Sequence, residues 1–148
     1  MSITIRKAER KDLKAVHDLV RALAVYEKAE AEFVASLNDY EENWTQGVFE
    51  SIVAEVNGEI VGMTLYYLSY STWKGRMLYL EDFVVLETHR RLGIGQLLFD
   101  ATLEVAKSKG CKLMKWQVLD WNEPALDFYL KNEAIIEKEW WNGKIFIA

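Results

Sequence analysis

The chain has one cysteine, one proline and two histidines in 148 residues. Cys111 alone excludes an internal disulfide and any cysteine-rich metal site, and no His/Cys/Asp/Glu grouping has metal-ligand spacing. Pro124 stands without Ser/Gly-rich tracts or internal repeats around it, so nothing reads as a linker. No apolar run approaches the roughly 20 residues that span a bilayer, which argues against a membrane partner. The opening Met1-Ser2-Ile3-Thr4-Ile5-Arg6 lacks the apolar segment of a secretory signal, so the cytoplasm is the expected location. Positive charge is also short: 18 Lys and Arg against 23 Asp and Glu leave a net charge of -5. Nucleic-acid affinity depends on neutralising phosphates, so general binding of that kind is not expected.

What is present is a folding composition, 51% hydrophobic and 28% charged. Ile3 and Ile5 alternate with polar residues as in a short strand. Leu13, Val16, Leu19, Val20 and Leu23 recur at helical spacing to about Tyr26. Ser36 with Asp39 predicts a capping box and a short helix to Trp44. Asn57-Gly58, between apolar runs 49–56 and 59–70, predicts a type I′ hairpin. A second turn at 71–75 leads to a strand over 76–85. A helix follows, with Leu97, Leu98, Ala101, Val105 and Ala106 on one face and Gly110 at its left-handed end. A strand over 113–119 makes a parallel crossover, Asn122-Glu123-Pro124 opens a further helix, and 135–147 reads as a final hairpin about Asn142-Gly143. The order β, α, α, β, β, β, α, β, α, β, β is an α+β domain with one mixed, mostly antiparallel sheet flanked by helices.

The stretch Arg90-Arg91-Leu92-Gly93-Ile94-Gly95 sits between a strand and a helix. Glycines let backbone approach a ligand closely, and the first N–H groups of a helix have no acceptor within it, so the turn reads as a phosphate cradle. A Walker loop would end in Gly-Lys-Ser/Thr, whereas Gln96 and Leu97 follow here. A dinucleotide fingerprint would need a third glycine and a βαβ unit. A pyrophosphate cradle after an antiparallel strand remains.

Arg-x-x-Gly-x-Gly in that position resembles the acyl-CoA signature of the GNAT acetyltransferase superfamily. The stretches 78–83 (Leu-Tyr-Leu-Glu-Asp-Phe) and 121–124 (Trp-Asn-Glu-Pro), with Asp127-Phe128-Tyr129, are similar to the spermidine/spermine acetyltransferases and their thialysine-acetylating relatives, as are Tyr26-Glu27 and Trp73. The likeness runs to about Tyr129. Beyond it, Lys131-Asn132-Glu133-Ala134 lacks the family's glycine, and the C-terminus at Ala148 is shorter than in the polyamine enzymes. The resemblance implies a single N-acetyltransferase domain over 1–148, a homodimer, and acetyl-CoA as cosubstrate with no metal.

By that resemblance acetyl-CoA is held by Phe83, Val84, Val85, Arg90, Arg91, Leu92, Gly93, Ile94, Gly95, Gln96, Asn122, Glu123, Pro124, Ala125 and Tyr129. The amine would meet Tyr26, Glu27, Trp73, Glu81 and Asp82. An alkylammonium with a pKa of about 10.4 is only ~0.04% neutral at pH 7, a cost of about 4.6 kcal/mol, so a proton acceptor is needed. The resemblance assigns that role to Glu81 through water, and assigns Tyr129 as the acid that protonates the leaving thiolate. As strand neighbours, Glu81 and Asp82 are expected on opposite faces of the sheet. The implied activity is acetyl transfer to a primary amine of a small aliphatic (poly)amine. Thialysine or lysine-like amino acids, a peptide amine, or a non-catalytic acetyl-CoA-binding role are the alternatives. Cys111 reads as a small buried hydrophobe and His17 as structural, while His89 could equally touch a phosphate or sit exposed.

Overall fold

The computed structural model describes residues 2–147. It divides into two compact units, one reaching Gln117 and the other starting at Val118. The first contains β1 (Ile3–Lys7), α1 (Leu13–Tyr26), α2 (Leu37–Thr45), β2 (Glu50–Val56), β3 (Glu59–Ser71), β4 (Gly75–Val85), α3 (Ile94–Ser108) and β5 (Leu113–Lys115). The second contains α4 (Glu123–Lys131). The sheet order is β1-β2-β3-β4-β5, antiparallel except for the parallel β4/β5 pair.

Side chains alternate across a strand, so β3 serves two helical layers. Met63 and Leu65 join Val53 and Val84 in a core closed by Val16 and Leu19 of α1, with Tyr40 and Trp44 of α2 at its margin. On the opposite face Thr64 Oγ1 lies 2.8 Å from Thr102 Oγ1 of α3, and Phe83 packs on Phe99 with ring centroids 6.0 Å apart. The sheet is thus covered on both sides.

Local signals produce their elements where expected. Asn57 and Gly58 both have positive φ, as a type I′ turn requires. Ser36 Oγ accepts the Asp39 N–H at 3.0 Å, while Asp39 Oδ2 accepts the Ser36 N–H at 2.8 Å. The sheet departs from expectation at one place with wide consequences. Leu65 pairs with Asp82 but Tyr66 with Leu80, so Glu81 is an extra residue, a β-bulge in β4. Bulges bend a strand and increase its twist. The parallel pairing of β4 with β5 stops at Tyr79–Lys115, just before the bulge, and β5 is three residues long rather than the seven expected over 113–119.

The hairpin expected over 135–147 is also absent: no strand occurs after β5 among the described residues. Ile135, Trp141, Ile145, Phe146 and Ile147 are all more than four-fifths exposed. A lone two-stranded hairpin buries too little apolar surface to offset the ordering of its chain.

Among the described residues the four α-helices all end in the same hydrogen-bonded motif, with a left-handed residue after the cap. Gly47 and Gly110 occupy that position after α2 and α3, whereas Lys28 and Glu133 take it after α1 and α4, at φ 60° and 64°. After α4 the Ala134 N–H bonds Tyr129 O at 3.0 Å and the Glu133 N–H bonds Leu130 O at 3.0 Å. The glycine that the resemblance leads one to expect after this helix is absent, and Glu133 takes the left-handed position. Glu133→Gly is expected to stabilise the protein by about 1 kcal/mol in urea unfolding, relief of Cβ strain outweighing the entropy glycine adds to the unfolded chain. A lower midpoint would contradict this account.

Candidate active site

The bulge decides where the two carboxylates of β4 go. Tyr67 stacks on Tyr79 across the β3/β4 pair, with centroids 5.6 Å apart and planes 25° from parallel. The Tyr67 hydroxyl donates to Glu81 Oε1 at 2.7 Å, so Glu81 lies on the Tyr67 face. Asp82 faces Leu65 in register and therefore shares that face as well. The expectation of opposite faces is overturned because the inserted residue interrupts the two-residue alternation. Both carboxylates act on the same phenols: burial first, then Asp82 and Glu81, push the Tyr40 hydroxyl upward in pKa. Tyr67 is raised by burial, then by its bond to Glu81.

Glu27 joins them from the end of α1. It caps that helix before the turn at Lys28, and partial burial raises its pKa. Asp82 is pushed from the ordinary 3.8 up to about 7, mainly by burial, then by Glu81 and Glu27. Three carboxylates thus converge between the end of α1 and the bulge, beside Tyr40, Tyr67 and Tyr79. A cluster of this kind favours a cation and resists holding all its negative charges in its absence.

The glycine turn lies at the end of the same strand. Gly93 has φ +83° and caps α3, whose first internal hydrogen bond runs from the Leu97 N–H to Gly93 O at 3.2 Å. The N–H groups of the first helical turn are directed out along the axis. Arg91 is exposed at φ 65°. Arg90 turns back instead: its Nε donates to Val85 O at 3.1 Å, and its guanidinium sits 5.5 Å from the Tyr26 ring centre. The Leu86 N–H bonds Val61 O at 2.8 Å, so by alternation the N–H groups of Phe83 and Val85 point to the β5 side, past the last residue that β5 pairs. The N–H of Val84 points to β3 and its side chain is in the α1 core.

In the second unit, Asn122 Oδ1 accepts the Ala125 N–H at 3.4 Å, and Pro124 lies in the first turn of α4. Tyr129 is 6% exposed, its ring edge-on to Phe128 at 5.7 Å between centroids.

The chain has known relatives. The Acetyltransferase (GNAT) family model matches residues 13–133. The chain belongs to the GNAT acetyltransferase family. A thialysine N-epsilon-acetyltransferase of Bos taurus is 38% identical, with 95% of this chain and 89% of that protein aligned. A spermidine/spermine N(1)-acetyltransferase-like protein 1 of Homo sapiens is 29% identical over 88% of this chain and 20% of its own length. An aminoglycoside N-acetyltransferase solved in complex with CoA has the same fold, with a TM-score of 0.79, 16% identity, and 97% and 95% of the two chains covered. The protein is an N-acetyltransferase with a GNAT fold.

For a GNAT enzyme, the glycine turn, the exposed Arg91 and the two strand N–H groups fit a pyrophosphate joined to an extended, amide-bearing arm. Glu27 and Glu81 both act on Asp82, while the Tyr26 ring faces the Arg90 guanidinium. Trp73 does not join them within the chain. It is on the β3/β4 turn, 83% exposed, and six residue steps along β4, about 20 Å, separate Gly75 from Glu81. Sequence reasoning passed over Tyr40, Tyr67 and Tyr79. Counting back from the 71–75 turn pairs Tyr67 with Tyr79, so that contact was available, but nothing local marked the bulge.

His17 is structural, as expected: it is buried, its Nε2 donates to Ala35 O at 2.9 Å, and Phe33 and Tyr40 flank its ring. Among the described residues no helix is long and apolar enough to cross a membrane.

Proposed function

We propose that this GNAT enzyme acetylates a primary amine of a small aliphatic polyamine by direct transfer. The observation that carries the reading is the convergence of Glu27, Glu81 and Asp82 on one face at the β4 bulge. Acetyl-CoA supplies an activated acyl group and a thiolate leaving group. The turn 90–96, with its exposed Arg91, would hold its pyrophosphate, and Asn122, Glu123, Pro124 and Ala125 would contribute from the start of α4. Phe83 and Val85 would present N–H groups to the arm and to the carbonyl oxygen as negative charge develops on it. Glu81 accepts the proton of the amine through water, Asp82 and Glu27 hold a second cationic centre, and Tyr129 returns a proton to the leaving sulfur. The ring of Tyr26 adds a cation–π surface.

A second reading, acetylation of thialysine or a lysine-like amino acid, is favoured by the identity to the bovine thialysine enzyme. That substrate carries a carboxylate as well, which Lys28 or Lys74 could meet. We also propose a cytoplasmic homodimer. The exposed Trp73 turn in the first unit and, separately, the exposed apolar side chains at Trp140, Trp141, Ile145, Phe146 and Ile147 in the second support burial against a second copy.

The test is a thiol-release assay with acetyl-CoA and spermidine, putrescine, thialysine, lysine and short peptides. The polyamine reading expects spermidine to have the highest kcat/KM, at least tenfold above lysine. A preference for thialysine favours the second reading, and absence of release with every amine removes both.

A further inference from the structure

We propose that Tyr67 is a positioning residue that holds the Glu81 carboxylate in its proton-accepting orientation. The inference deepens the proposed function and rests on Glu81 being the base. Glu81 is the extra residue of the bulge, so its backbone lacks a register partner on β3, and it is exposed at the surface of the sheet. A long, flexible side chain at such a place samples many rotamers unless something holds it. Tyr67 does so from the neighbouring strand through the 2.7 Å bond to Oε1. Tyr67 is itself fixed, because its ring lies flat against Tyr79. A carboxylate has two oxygens, and the phenol engages one, which keeps the other for the incoming proton. The bond is charge-assisted when Glu81 is ionised, so it favours the form that can act as a base.

The titratable groups around Glu81 are carboxylates and neutral phenols. On β4 these are Asp82 and the phenol of Tyr79. From α2 comes Tyr40, and from the end of α1 Glu27, which acts on Asp82. Negative neighbours favour the protonated, inactive carboxyl. Among these groups Tyr67 is the one that donates a hydrogen bond to the carboxylate. Removing it should therefore impair orientation and make the base easier to protonate.

Tyr67→Phe keeps the ring on Tyr79 and deletes the donor. In thiol-release kinetics against pH, run with each amine that turns over, kcat is expected to fall about tenfold with amine KM within about twofold. The acid limb of the kcat/KM profile should move up by about one pH unit. Tyr70→Phe, on the same strand but exposed and away from the carboxylate, serves as the control and should leave both unchanged. Melting temperatures of the variants establish that the fold is intact. A limb that stays in place or moves down, with kcat within twofold of the parent, overturns the inference. Glu81→Gln separates the two levels: if it is slow while Tyr67→Phe is normal, Tyr67 alone is misassigned. If Glu81→Gln turns over at the parent rate, or no amine turns over, the base assignment fails and the inference falls with it.

Discussion

Tyr129→Phe is expected to lower kcat by about a hundredfold while leaving acetyl-CoA affinity unchanged in calorimetry. The size follows from general acid catalysis, which contributes about 10²–10⁴-fold when a positioned group transfers a proton in the transition state. A phenol with an ordinary pKa of about 10 is close enough to a thiol to protonate it without being ionised at neutral pH. The substitution removes only the hydroxyl, so the packing of the buried ring on Phe128 is preserved. Loss of turnover with retained binding also separates an enzyme from a protein that merely binds the cosubstrate. A rate within a few-fold of the parent would remove Tyr129 from the proton path.

Asp82→Asn is expected to stabilise the free protein at pH 8 and to weaken amine binding at the same time. Asp82 titrates at about 7 in the folded protein, against an ordinary 3.8, because burial, Glu81 and Glu27 oppose its charge. The folded state therefore keeps this proton to higher pH than the unfolded state does. The sign is fixed by that difference: folding is favoured below about pH 4, and stability is lost as pH rises through about 7. Three pKa units set a ceiling of about 4 kcal/mol, and relaxation of the site at high pH brings the expected gain on substitution to about 2 kcal/mol. Urea unfolding at pH 5 and pH 8 should show the variant's advantage growing between them. An advantage equal at both pH values would mean that Asp82 does not carry the strain. In the parent a cationic amine relieves the same repulsion, so spermidine should raise its melting temperature more at pH 8 than that of the variant. On that outcome function and stability are opposed at this residue, as they commonly are where charge is concentrated for binding.

Legibility in the sequence followed the range of the interactions. The Asn57-Gly58 turn and the Ser36–Asp39 box each depend on a few adjacent residues, and both form as read. The glycine turn was legible for the same reason, since a left-handed residue before an amphipathic helix is a local event. Arg90 and Arg91 look alike as neighbouring cations and both are exposed, yet Arg90 turns back onto the chain. Arg90 is taken up by Val85 and Tyr26, residues 5 and 64 positions away that the chain must fold to bring near. The final hairpin failed because alternation and a turn signal do not supply a surface to bury against.

The sequence by itself determined the family, the glycine turn ahead of α3 and the identity of the two adjacent carboxylates, because these are written in contiguous residues. Only the tertiary structure decided which face the carboxylates occupy. A regular hairpin register counted from the 71–75 turn would set Asp82 opposite Thr64, on the face covered by α3. One inserted residue, Glu81, sets it opposite Leu65 on the α1 face, where Glu27 and Tyr40 meet it. The same insertion turns Phe83 toward α3 and precedes the point where β4 runs on without β5. A strand's side chains repeat every two residues, so a shift of one reverses every face beyond it. That shift is a property of how β4 pairs with β3, and residues 81 and 82 alone do not contain it.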